Sequence, residues 1–331
     1  MKLARPFIRL PLSFDASMLA QEAAQLEPAA WRPHPLGLKG NSAVALISRG
    51  GGDNDEFGGR MAATPNLARC PYHRQVMAGF GEVLARSRLM KLGPGCEVQY
   101  HVDFNYHWYT RTRIHIPITT NPAVMFYCGD EKVHMQSGEC WIFDNWRRHN
   151  VINAGAQERI HLVIDLAGSS RFWQMVRRSV QTGPAGYGTD DKQVEFVPFE
   201  PGRRAEIQTE NYNITPVMAP GEIDALVDGL VREFEDHPRN DPDLVERYKC
   251  TLHDFASDWR ATWHRYGMGK QGLPRYRRLI DRVKSELHPD RRALLISAND
   301  IGVNPVIMQR ILRAALAPDV YDQFLGSEQK L

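Results

Sequence analysis

The residues best suited to chemistry in this chain fall in one region: Tyr100–His101–Val102–Asp103, then Thr112–Arg113–Ile114–His115–Ile116–Pro117, then Ile142–Phe143–Asp144 leading to His149, and Glu158–Arg159. In an extended strand residues i and i+2 share a face, so His101 and Asp103 point into one space. A histidine arriving from a later strand completes a facial set of two imidazoles and one carboxylate. Such a set holds ferrous iron without saturating it, so that a co-substrate and dioxygen can bind. An HxD pair alone carries little weight, because it arises readily by chance. His149, 46 residues after Asp103, and Arg159, ten residues after His149, give the pattern its meaning. A guanidinium grips a carboxylate through two parallel hydrogen bonds, as the distal carboxylate of 2-oxoglutarate requires.

These residues must be carried by strands. From 88 to 166 the sequence runs in short, alternating apolar stretches at 88–92, 96–103, 111–119, 123–128, 131–135, 140–143, 149–153 and 159–165, broken by turn signals such as Gly93–Pro94–Gly95, Asn121–Pro122 and Ser137–Gly138. The expected fold is mainly β with α: a double-stranded β-helix (jelly roll, cupin-like) with flanking helices. Before it, 16–30 reads as a helix capped by Asp15, 42–48 as a strand, and 72–87 as a helix following Pro71. RGGGDNDEFGGR at 49–60 reads as a surface connection, with a lid over a pocket as the alternative. After 168 come a Trp- and Arg-rich helix at 170–179, a glycine-rich turn, a short strand VEFVPF and a long irregular stretch. Helical periodicity returns at 222–235, 243–266, 274–286 and 305–316. The expected division is therefore a jelly-roll domain over 1–215 and a small C-terminal helical module over 216–331.

Composition narrows the class. With 331 residues, 43% hydrophobic and 24% charged, the chain is an ordinary globular protein with room for two units. A formal net charge of +2 demands no nucleic-acid partner. No run is long and apolar enough to span a bilayer, and MKLARPFIRLPLSFD lacks an apolar signal block, so no membrane association and a cytoplasmic location are expected. Five cysteines without a CxxC pair argue against a disulfide framework or a thiolate zinc site. The chain has no GxGxxG, no phosphate-binding loop and no GxSxG motif.

Taken together, HxD, RxHxP, IFDxxxxH, an arginine ten residues on and an aspartate six further resemble the aspartyl/asparaginyl β-hydroxylase family of 2-oxoglutarate- and Fe(II)-dependent dioxygenases, in particular its proline cis-hydroxylase-like branch. The resemblance implies Fe(II), 2-oxoglutarate and O2 as cofactor and co-substrates. It implies iron ligands His101, Asp103 and His149, a C5-carboxylate anchor at Arg159, and Arg113 with His115 near the C1 carboxylate. The implied reaction hydroxylates an unactivated carbon of an amino acid, free, peptidyl or carrier-bound, with succinate and CO2 as co-products. Two departures stand out: Asp103 occupies a position that is glycine in eukaryotic protein-modifying members, and Met90 stands where those members have a serine assisting the co-substrate arginine.

Each residue also admits a structural role. His115 fits a satisfied core histidine, His107 a strand neighbour of Asp103 or a further ligand, and Asp144 either a partner orienting an imidazole or a turn cap. Aromatic residues crowd the first ligand strand and fit barrel core or rim; Phe255, Trp259, Trp263 and Tyr266 fit a helical core. The helical module is a candidate for closing over substrate or for homodimerisation. A non-catalytic cupin-type metal-binding or sensing protein is the alternative reading; it would lack the carboxylate ligand or the co-substrate arginine, and both are present.

Overall fold

The computed structural model describes residues 2–182 and 193–321, which form two compact units: 2–102 with 110–211, and 103–109 with 212–321. The first unit is built on strands β1 (Phe7–Phe14), β2 (Arg32–Pro33), β3 (Asn41–Arg49), β4 (Met61–Ala63), β5 (Val83–Leu92), β6 (Cys96–His101), β7 (Thr112–Thr119), β8 (Val124–Cys128), β9 (Glu131–Val133), β10 (Glu139–Phe143), β11 (His149–Asn153), β12 (Arg159–Leu166), β13 (Glu195–Val197) and β14 (Gln208–Thr209). Ten strands make one sheet, in the order β13-β1-β10-β7-β12-β5-β3-β2 with β14 on β5 and β4 on β3; the other four run β6-β11-β8-β9. From β5 to β12 the chain passes repeatedly between the two sheets, giving the double-stranded β-helix.

The larger sheet is buried on both sides. Its outer face packs Ile114, Ile116, Leu162 and Ile164 against helices α1 (Ala16–Ala24), α2 (Pro65–Ala68), α3 (Pro71–Gly79) and α5 (Ser170–Thr182) through Leu19, Leu67, Val76 and Phe172. Its inner face joins the smaller sheet through Phe7, Leu92, Phe126, Trp141 and Val151. Strand β12, RIHLVIDL, is buried at all eight positions. Its even residues fill the outer core, whereas Arg159, His161 and Asp165 turn inward, paired in register with Leu92, Met90 and, across β7, Arg113.

The eight strands expected between 88 and 166 are all present, within a few residues of their expected ends. The helix expected over 72–87 stops at Gly79; Gly81, at φ +62°, reverses the chain, and Val83–Leu92 is strand. Strand β1 has no counterpart in the expected elements, because Pro11 breaks its apolar alternation. It nevertheless pairs with both β10 and β13. The glycine-rich turn expected after α5 lies outside the described residues.

Taken by itself, the second unit packs α6 (Pro220–Phe234), α7 (Pro242–Tyr266), α8 (Leu273–Glu286) and a final helix of α9 (Val303–Val306), a π-turn (Ile307–Leu312) and α10 (Arg313–Ala315). Helix α7 starts where Asp241 accepts a hydrogen bond from Leu244 N at 2.9 Å. Trp259, fully buried, meets Phe255 and Tyr276 in tilted ring contacts at 5.4 and 4.5 Å and donates to the Met218 carbonyl. The same unit includes α4 (Tyr106–Thr110) up to Tyr109. No helix among the described residues is long and apolar enough to cross a membrane.

Candidate functional site

His101 closes strand β6 and His149 opens β11, and the two pair directly in the antiparallel register. Their rings lie 4.2 Å apart. Each Nδ1 meets the carbonyl of the residue two positions earlier, His101 on Gln99 at 2.8 Å and His149 on Arg147 at 2.9 Å. A carbonyl only accepts, so both Nδ1 atoms carry the proton and both rings offer Nε2 to a metal. One donor atom each from His101, Asp103 and His149 lies within 4.8 Å of the others. His149 is buried, Asp103 half-buried and His101 exposed. The donor set, two imidazoles and a carboxylate, suits a divalent metal with open positions.

Asp144 does not touch either imidazole in this network. Its Oδ1 accepts from Trp146 N at 3.0 Å and its Oδ2 from Arg147 Nε and Leu3 N, so it fastens the turn that leads to His149. Burial raises its carboxyl above the ordinary value. His107 is buried against Trp108 and stands outside the three-donor group.

A continuous row of rings runs inward from the two histidines. His149 contacts Phe143 at 4.9 Å, Phe143 contacts His115 at 5.1 Å, His115 contacts His161 at 5.8 Å, and His161 stacks on Phe126 at 5.3 Å. The Arg159 guanidinium lies over the same Phe126 ring, 5.0 Å from its centre. Among the described residues, all four ring nitrogens of His115 and His161 are buried without a hydrogen-bond partner, as is Arg159 Nε. Buried polar atoms are rarely left so, because each loses its water without compensation. Burial holds both imidazoles well below their usual value, with the Arg159 charge adding to the effect, so both are neutral. Burial alone pushes the Arg159 guanidinium down to about 9. Among the described residues, no carboxylate shifts the Arg159 guanidinium, and burial is its one cause of perturbation.

Arg113 is held differently. Its Nε and Nη2 bond Asp165 Oδ1 and Oδ2 at 2.6 and 2.8 Å, and its Nη1 approaches Met90 Sδ at 3.7 Å. The sequence reading missed His161, Arg86 and Arg88. His161 shares the face of Arg159 two residues away, and the alternation Arg86–Ser87–Arg88 inside an apolar strand was the signal for the other two. Arg88 Nη1 bonds Asp55 Oδ1 at 2.7 Å; Arg86 Nη1 bonds the Asp55 carbonyl at 2.9 Å and lies over the Phe57 ring. The glycine-rich connection at 49–60 is thus fastened onto two buried arginines.

Comparison with known proteins fits this arrangement. The model of the aspartyl/asparaginyl beta-hydroxylase family matches positions 15 to 168, which contain every residue of the site just described. Over those positions the chain is similar to the aspartyl/asparaginyl beta-hydroxylase family. This similarity supports an oxygenase, and the family implies Fe(II), 2-oxoglutarate and O2, with His101, Asp103 and His149 as a candidate metal-holding group. Among solved structures, the chain is similar to an oxidoreductase of the 2OG-Fe(II) oxygenase family from Burkholderia pseudomallei, at 18% identity over 49% of this chain and 85% of that one, with a TM-score of 0.35. It is also similar to a predicted oxalate decarboxylase from Thermotoga maritima, at 14% identity over 43% of this chain and 96% of that one (TM-score 0.26). A cupin domain from Bordetella pertussis gives 16% identity, 41% and 97% coverage and a TM-score of 0.23. No curated protein sequence matches the chain significantly.

Proposed function

We propose that this oxygenase hydroxylates a carbon of a small amino-acid-like substrate bearing a carboxylate, forming succinate and CO2 from 2-oxoglutarate. His101, Asp103 and His149 would hold Fe(II), which when bound supplies the oxygen-activating chemistry. Arg159 would take the distal carboxylate of 2-oxoglutarate, with His115 and His161 hydrogen-bonding co-substrate oxygens as neutral groups. The observation that carries the reading is the buried guanidinium of Arg159, with no carboxylate among the described residues shifting it, at the inner end of the ring row that begins at His149. Phe126 and Phe143 keep water from this row, so the charges meeting there act in a low-dielectric space.

Charge balance supports a substrate carboxylate. Arg86, Arg88, Arg113 and Arg159 are four cations on the inner side of the large sheet, and the carboxylates that act on the first three are Asp165 and Asp55. Asp165 is fully buried and taken by Arg113; the Asp55 side chain is 42% exposed and sits on a loop. Two anions would complete the set. One is the co-substrate, and the other is a carboxylate reaching Arg88 and Arg86.

Anaerobic addition of Fe(II) and 2-oxoglutarate tests the co-substrate reading: a weak visible charge-transfer band, lost in Arg159→Ala, is expected. Absence of the band in the wild-type chain favours a non-catalytic metal-binding protein instead. A screen of amino acids, their primary amides and short peptides for stimulated succinate formation tests the substrate reading. Stimulation by amides equal to that by acids overturns the carboxylate requirement.

A further inference from the structure

Two of the four inward-facing cations share one carboxylate, and that carboxylate sits on a loop. Arg86, Arg88 and Met90 alternate along β5 on the face that carries His161 of β12, since Met90 pairs with His161 and Arg88 with Val163 in register. On the other neighbour, β3, the residues opposite Arg88 and Met90 are Ala45 and Ala43, and these four side chains line one cavity together with Asp55. Alanine at both places leaves room that a longer side chain would fill. All of these residues belong to the first unit.

Asp55 fits this place poorly. Its Oδ1 accepts from Arg88 Nη1 at 2.7 Å but lies 4.0 Å from Arg86 Nη1, which donates instead to the Asp55 main-chain carbonyl at 2.9 Å. Among the described residues, Nε of both arginines is buried without a hydrogen-bond partner. Arg113 shows the better geometry: its Nε and Nη2 both reach Asp165, at 2.6 and 2.8 Å, in the two parallel bonds that guanidinium and carboxylate favour. The Arg86 and Arg88 side chains are 5% and 9% exposed, that of Asp55 42%. Displacing Asp55 therefore returns a half-wet carboxylate to water at little cost, whereas the guanidiniums it leaves stay dry and need an anion. The loop is built to let it go. It leaves β3 through Gly50 and Gly51, at φ +64° and +70°, and returns through Gly59 at φ +106°, conformations that glycine alone takes readily.

We propose that Asp55 is a specificity-determining residue: an internal carboxylate that holds the substrate-carboxylate place on Arg88 and Arg86 in the empty protein and is displaced by the incoming acid. With Asp55 in place the cavity offers about 20 Å³, enough for one water molecule and too little for a carboxylate, so the two anions exchange rather than bind side by side. A ligand gains the arginines only by outcompeting Asp55, and its apparent affinity falls with the fraction of protein in which Asp55 has left. A neutral analogue offers the two cations nothing in exchange. The inference rests on the reading above that the substrate carries a carboxylate.

The test is thermal unfolding of the full-length, metal-free protein across a sodium acetate series, read against equal sodium chloride. Acetate is expected to stabilise Asp55→Ala at about tenfold lower concentration than it does the wild type, the scale of one hydrogen bond between charged groups. A response at any other site, Arg159 included, is common to both proteins and cancels in the comparison. Asp55→Ala/Arg88→Met is expected to lose the gain. Equal acetate responses in Asp55→Ala and the wild type, a gain matched by chloride, or a gain that survives Arg88→Met overturns the proposal. Asp55→Asn removes the charge and keeps the shape, so it carries the same comparison should Asp55→Ala fail to fold. The succinate screen with amino acids and their amides separates the two failures. A preference for acids with no acetate gain strikes the displacement of Asp55 alone; no preference strikes the substrate reading, and this inference with it.

Discussion

Replacing Arg159 with methionine should make the empty protein more stable and abolish its response to 2-oxoglutarate. Burial alone moves the guanidinium from 12.5 to about 9. At about 1.4 kcal/mol per tenfold, this is a penalty of about 5 kcal/mol at neutral pH, an upper bound. Stacking over Phe126 returns about 0.5–2 kcal/mol of it. Methionine keeps most of the volume and none of the charge. If half of the penalty is realised, the melting temperature rises by about 5–10 °C, at about 2–4 °C per kcal/mol for a unit of this size. The sign is that of a base whose value is lowered on folding: the penalty is complete below about pH 9 and fades above it, as the folded state releases its proton first. The assay is thermal unfolding at neutral pH with Mn(II) as a redox-inert metal, with and without 2-oxoglutarate. The wild type gains about 2.7 kcal/mol at a hundredfold excess over the dissociation constant, and Arg159→Met gains nothing. A lower melting temperature in the variant, together with retained stabilisation by 2-oxoglutarate, would refute the view that this arginine waits for the co-substrate.

Three further outcomes are expected. His149→Ala should lose Co(II) binding and activity together while keeping its fold, as read by titration and circular dichroism; normal 2-oxoglutarate consumption in this variant would show that the ligand set is misassigned. His115 and His161, held neutral well below 6.5, should make the empty protein lose stability as pH falls below about 6.5, because the unfolded chain takes up protons that the folded one refuses. Urea unfolding between pH 4 and 7 should show a shallower dependence in His161→Leu, and identical slopes would count against the neutral assignment. Glu22 accepts from Tyr72 N and His73 N at 2.7 and 3.1 Å and meets His73 Nδ1 at 2.8 Å, all buried. Glu22→Ala should therefore cost about 3 kcal/mol in chemical denaturation, and a loss under about 1 kcal/mol would mean that water replaces the carboxylate.

Strand alternation made much of the site readable. His101, Asp103, His149 and Arg159 stand at spacings that a jelly roll brings to one side, and turn signals marked the strands that carry them. Arg88 and His161 were equally visible as charged or polar residues alternating within apolar strands, but nothing in their spacing told them from surface residues of a half-exposed sheet. The sheet is buried on both sides, and only the packing of α1, α3 and α5 against its outer face shows that. Strand β1 escaped because proline interrupts its pattern, and the helix expected over 72–87 ran past Gly81 because helical and strand periodicities overlap there. The partner of Phe104 could not be read at all: Arg310 stands 206 positions along the chain from it.

Strand β12 has a consequence for how such a domain tolerates change. Its odd positions carry Arg159, His161 and Asp165, and its even positions carry the apolar packing against the helices. Loss or gain of one residue there would not merely shift the strand but exchange its two sides, driving three polar groups into oil and turning isoleucine and leucine toward the inner row of rings and charges. Drift in length is therefore barred from this stretch and left to the connections around it, where the chain can vary without exchanging the two sides of the strand.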